Sequence, residues 1–143
     1  MAVDTGRGRG PARERAFTLL YEATQRGIDG PAILAEEILE TDPFTVAVVN
    51  GVSASTDELD ERIGRLSEGW ALERMPVVDL TLLRMGVWEL LHRDDVPTAV
   101  VLTERDRLVA PQRQARLHAA IPGASLHRVD GDHDAVVAHP DRF

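Results

Sequence analysis

The sequence predicts a mainly α fold, an antiparallel bundle of amphipathic helices followed by a short β-α-β-α segment. Three observations carry that expectation. Apolar residues recur at helical spacing from Ala16 to Leu91. Prolines stand where helices would open, at Pro11, Pro31, Pro43 and Pro76, positions where a missing N–H costs nothing. The pattern then changes at Val96-Pro97, after which Ala99-Val-Val-Leu102 is a compact apolar run of the buried-strand kind.

Residues 1–10 are rich in Gly and Arg without a hydrophobic period and read as a flexible basic arm. Residues 11–26 form the first expected helix, on Ala16, Leu19, Leu20 and Ala23, with Phe17 and Tyr21 beside that stripe and Gly27 as a left-handed stop. Asp29-Gly-Pro31 restarts the pattern, and Ile33, Leu34, Ile38 and Leu39 give a short second helix. From Phe44 a long helix runs through Val48, Val52, Leu59, Ile63 and Leu66, with Gly51 and residues 53–56 as the places for a bend. Pro76 opens the next helix, whose expected buried stripe is Leu80, Leu83, Val87, Leu90 and Leu91, with Trp88 at its edge. These segments make a helical domain over 11–96. In the remaining segment, 97–143, a strand at 99–102 precedes a helix at 111–121. A second strand follows at 124–129, and a last short helix at 135–143 is interrupted by Pro140.

Composition narrows the function classes. Cysteine is absent, which excludes a disulfide scaffold, thiol catalysis and cysteine metal sites. The histidines His92, His118, His127 and His139 do not stand at metal-ligand spacing, so no metal and no cofactor are expected. The start of the chain lacks the apolar core of a signal peptide, and no apolar run approaches the ~18 residues of a membrane span. A cytoplasmic protein without a membrane partner is therefore expected. All sixteen basic residues are arginine, which reads first as codon bias. The net charge of −8 is uneven: residues 1–15 are locally +2, residues 16–96 locally −10, and the remainder neutral.

Three stretches carry a resemblance: Ala12-Arg-Glu-Arg-Ala-Phe-Thr-Leu-Leu-Tyr21, Val49-Asn-Gly-Val-Ser53, and Gly69-Trp-Ala-Leu-Glu-Arg-Met-Pro-Val-Val-Asp79. The last continues into Leu83-Arg-Met-Gly-Val-Trp-Glu-Leu-Leu91 and Asp94-Asp-Val-Pro97. Over residues 7–101 the chain resembles the NusB family of transcription antitermination factors. The resemblance implies a helical fold, binding of boxA-like single-stranded RNA, and pairing with a NusE-type ribosomal protein. By position it implies RNA contacts at Arg7, Arg9, Arg13, Arg15 and Tyr21, and a protein-partner surface at Asp79, Arg84 and Glu89. Phosphate contacts and aromatic stacking suit single strands. The plainer readings are a solvated tail for the arginines, a core-edge ring for Tyr21 and surface ion pairs for the α-helical charges. A homodimer also fits.

Residues 96–143 resemble instead the C-terminal end of an α/β-hydrolase, with Asp106 at the position of the triad acid and His133 at that of the base. Both only orient and activate a nucleophile. The Gly-x-Ser-x-Gly elbow that would present one is missing; Gly51-Val-Ser53-Ala-Ser55 lacks the last glycine and falls within a predicted helix. Asp106 and His133 are therefore expected to be relic positions, and no catalytic residue is assigned. The two resemblances share Val96-Pro-Thr-Ala-Val-Val101, so the chain reads as a chimera whose join is natural, a misassembled gene or artificial. The leading expectation is a non-enzymatic RNA-binding antitermination factor. The alternatives are a remnant esterase-like hydrolase and a non-functional chimera.

Overall fold

The computed structural model describes residues 9–67, 69–95 and 98–132. The chain divides into two compact units, residues 1–96 and 97–143. The first is helical: α1 (Gly10–Arg26), α2 (Gly30–Ala35), α3 (Pro43–Ala54), α4 (Thr56–Leu66) and, after a single 3-10 turn at Leu72–Arg74, α5 (Val77–His92).

Helix α1 begins with Pro11 in its first turn and ends at Gly27, whose φ of 65° lets the Gly27 and Ile28 N–H groups close back on Thr24 and Ala23. Its buried face, Ala12, Ala16, Leu19, Leu20 and Ala23, is rich in small side chains, and α3 packs closely on it. At that seam the Thr45 hydroxyl donates to the Ala12 carbonyl at 2.9 Å, which satisfies a polar group in a fully buried position. Asp29 caps α2 by accepting from the Ala32 N–H at 2.8 Å, and Asp42 caps α3 by accepting from the Phe44 N–H at 2.8 Å.

Three expectations are corrected here. Helix α2 stops at Ala35, so Ile38 and Leu39 lie outside it, exposed. The long helix expected from Phe44 is two helices divided at Ser55, where the chain leaves helical geometry and the Thr56 hydroxyl competes for the Val52 carbonyl at 2.9 Å. Leu66, at the end of α4, is exposed. The core side of α5 is Thr81, Met85 and Trp88, with Leu80 and Val87 partly buried, while Leu83, Leu90 and Leu91 face outward. Trp88 is a core residue and not an edge one. Helix α5 is apolar around most of its circumference, so spacing alone could not choose the buried side.

The second unit contains β1 (Ala99–Thr103), α6 (Pro111–Ala120) and β2 (Ser125–Val129). The strands pair in parallel, from Ala99 opposite Ser125 to Thr103 opposite Val129, with α6 as the crossover. A buried polar knot closes the turn after β1. One Asp106 carboxylate oxygen accepts from the Leu108 and Val109 N–H groups at 2.8 and 2.9 Å. The other accepts from the Thr103 hydroxyl and the Gln114 amide at 3.0 and 2.9 Å. Asp106 thus holds a loop. His133 and the helix expected at 135–143 lie outside the described residues.

Candidate nucleic-acid interface

Three helix ends meet around Phe44: the start of α1, the start of α3 and the end of α5. Phe44 follows Pro43 in the first turn of α3, and its ring is buried. Three guanidinium groups lie over that ring, those of Arg9 and Arg93 at 4.9 Å from its centroid and that of Arg13 at 5.2 Å. The ring's negative face favours each of them, and the cations in turn are gathered onto one platform.

Among the described residues two carboxylates answer the three cations. Arg13 grips Glu89 in a two-pronged pair, Nε to Oε1 at 2.9 Å and Nη2 to Oε2 at 2.8 Å, which ties α1 to α5. Asp95 lies just past the end of α5. Its Oδ2 accepts from Arg9 Nη2 at 2.9 Å and from Arg93 Nη2 at 2.7 Å, while Oδ1 accepts from Arg93 Nε at 2.7 Å. These hydrogen bonds, Arg93's before Arg9's, hold the Asp95 carboxyl well below the usual carboxylate range, and the same pair holds the Arg93 guanidinium above its ordinary value. The first turn of α1 carries no acidic residue, so the positive end of its backbone dipole adds to the arginine charge.

The residues expected to contact RNA are thereby separated. Arg9 and Arg13 belong to the Phe44 cluster, whereas Arg15 points away from it and pairs with Glu37 beyond α2. Arg7 lies outside the described residues. Tyr21 continues the four-residue spacing of Arg13 and Phe17, about 12 Å along α1 from Arg13 at the helical rise. Its ring is half exposed and stacks on Phe17 with centroids 6.0 Å apart.

The residues expected to face a protein partner do not form one patch. Asp79 is exposed in the first turn of α5. Arg84 instead holds Asp60 of α4 through two bonds of 2.6 and 2.7 Å, and Glu89 is the partner of Arg13. Sequence reasoning missed Phe44 and Arg93. Phe44 reads there only as the start of a helix and Arg93 is not singled out; only the fold brings the end of α5 back to the start of α1.

Among the described residues no group of His, Asp and Glu could hold a metal ion, and no helix is long and apolar enough to cross a membrane.

Residues 10–120 match the NusB family. Relatives named transcription antitermination protein NusB include that of Beutenbergia cavernae, 44% identical over 113 residues covering 69% of this chain and 74% of the relative. That of a Nocardioides species is 45% identical over 105 residues, covering 71% of this chain and 78% of the relative. That of an Arthrobacter species is 44% identical over 100 residues, covering 67% and 74%. The family match runs through β1 and α6, past the 96–101 join expected from sequence, which leaves the hydrolase-type reading of that stretch without support. Matched from the first turn of α1 to the end of α6, the chain belongs to the NusB family, whose relatives above are named transcription antitermination proteins.

Proposed function

We propose that this chain is a transcription antitermination factor that binds boxA-like single-stranded RNA and a NusE-type ribosomal protein. The observation that carries the RNA half is the convergence of guanidinium groups over Phe44 at the start of α1, in a protein whose body is otherwise acidic. Arg9 and Arg13 contact phosphates from this platform, Arg15 and the arm's Arg7 extend the basic track, and Tyr21 offers a ring for a base to stack on. The protein partner docks along α5, where Asp79 is presented directly. Arg84 and Glu89 reach it by exchanging their internal partners Asp60 and Arg13.

Fluorescence anisotropy with a labelled boxA-type RNA tests the first half. Binding at moderate salt that exceeds binding of a shuffled RNA supports it, and equal or absent binding overturns it. Co-elution with a NusE-type ribosomal protein, lost on Asp79→Arg, tests the second.

A further inference from the structure

Of the two carboxylates at the Phe44 cluster, Glu89 is the internal one. Its side chain is 11% exposed and its bond with Arg13 joins two helices. Asp95 differs in every respect. Its side chain is 50% exposed, and it belongs to no helix. It covers the guanidinium groups of Arg9 and Arg93, which are themselves only 15% and 21% exposed. A carboxylate oxygen shared between two arginine forks stands where an oxygen of a bound phosphate would stand. Because α5 already ends at His92, swinging Asp95 away breaks no helical turn.

We propose that Arg93 is a phosphate-binding residue of the RNA site and that Asp95 is its intramolecular competitor. In the free protein Asp95 occupies the arginine edges that an RNA phosphate takes in the complex. The proposal rests on the RNA-binding reading above and adds a residue and a mechanism to it. With Asp95 and Glu89 in place most of the charge of the three cations is already answered, so stray anions gain little there. When RNA approaches from Arg13 along α1, one phosphate displaces Asp95 and meets two guanidinium groups already gathered on Phe44. Asp95 thus lowers affinity for all RNA and favours strands that engage the rest of the site as well.

The test uses the full chain and a fluorescein-labelled single-stranded RNA of about twelve nucleotides, a length typical of such sites. Anisotropy titrations run from about 50 to 300 mM NaCl, a range over which counterion release is readily measured. Asp95→Asn keeps the size of the side chain and removes its charge. It is expected to tighten binding about three- to tenfold, since one like charge within a few ångströms of the phosphate is removed. The log–log salt slope should stay close to the parent's, because the same phosphate meets Arg9 and Arg93 in both complexes. Asp95→Glu restores the competitor and should bind like the parent. Arg93→Gln should weaken binding about three- to tenfold and flatten the slope by about the same 0.7. Circular dichroism melts establish that each variant is folded.

Asp95→Asn that binds no tighter than the parent, or Arg93→Gln that leaves the slope unchanged, overturns the proposal. In that case loss of binding on Arg9→Gln and Arg13→Gln would still uphold the RNA-binding reading. If the parent and every variant fail to bind the RNA, that reading itself fails.

Discussion

A Cβ placed on Gly51 would sit 2.1 Å from the indole ring of Trp88. Helix α3 therefore offers bare backbone to the ring, and α5 is rotated so that Trp88 fills the slot while Leu83 and Leu90 turn outward. Gly51→Ala should destabilise the first unit by about 1–3 kcal/mol, because overpacking outweighs the better helix propensity of alanine. Gly86→Ala, on α5 with nothing within 4 Å of the added Cβ, should instead be neutral or stabilising by up to about 1 kcal/mol. Urea unfolding of the two variants distinguishes a packed slot from an ordinary helical glycine.

If Arg7, Arg9, Arg13 and Arg15 grip RNA, they neutralise at most about four phosphates and give a log–log salt slope near −3. Replacing Arg13 and Arg15 together should flatten that slope by about 1–1.5. Tyr21→Ala should lower affinity with little change of slope, since its ring, backed by Phe17, contributes stacking and no charge. Salt-insensitive binding would end the arginine mechanism.

Glu36 is bound by Arg26 at the joint between α1 and the end of α2, with bonds of 2.6 and 2.7 Å. Those bonds hold the Glu36 carboxyl below its ordinary value of 4.5. A carboxyl depressed in the folded state adds stability above its unfolded pKa and loses it as pH falls through the folded one. The melting temperatures of the parent and Glu36→Gln should therefore differ by a constant amount from pH 7 to about pH 5 and converge in more acidic solution. The difference should be small, since the pair is exposed.

From the described residues of the second unit Asp106 accepts four hydrogen bonds, two of them from the backbone N–H groups of Leu108 and Val109. Asp106→Ala leaves those donors unmatched and should cost about 1–3 kcal/mol. Hydrogen exchange should accelerate at Leu108 and Val109 first. Protection unchanged at both amides would show that the carboxylate does not hold the loop.

The parts of this fold legible in the sequence were those written in local chemistry. Pro11 and Gly27 bracket α1, Asp29 and Asp42 cap the helices that follow, and the boundaries near them came out within a residue or two. The illegible parts depended on rotation or on distance along the chain. An all-round apolar helix such as α5 gives no preferred side until Gly51 makes room for one large ring. Ser55 could have bent α3 or ended it, a choice decided by the competition of neighbouring hydroxyls for carbonyl oxygens. At the candidate site Arg9 and Arg13 were legible as charge, whereas Phe44 and Arg93 had no local mark.

The pair of Arg13 and Glu89 spans 76 residues of chain. Helix α1 can meet α3 early, with only the short α2 and its two connections between them, but its seam with α5 closes only after nearly the whole helical unit exists. At ordinary rates of translation the interval between making Arg13 and making Glu89 is about 4–15 s. Throughout it Arg13 lacks the carboxylate that later secures it, and from the making of α3 onward the slot beside Gly51 stands open. The first helix to leave the ribosome is thus among the last to be locked in place, and a stalled chain ending before Trp88 would present an unfilled apolar cleft to chaperones.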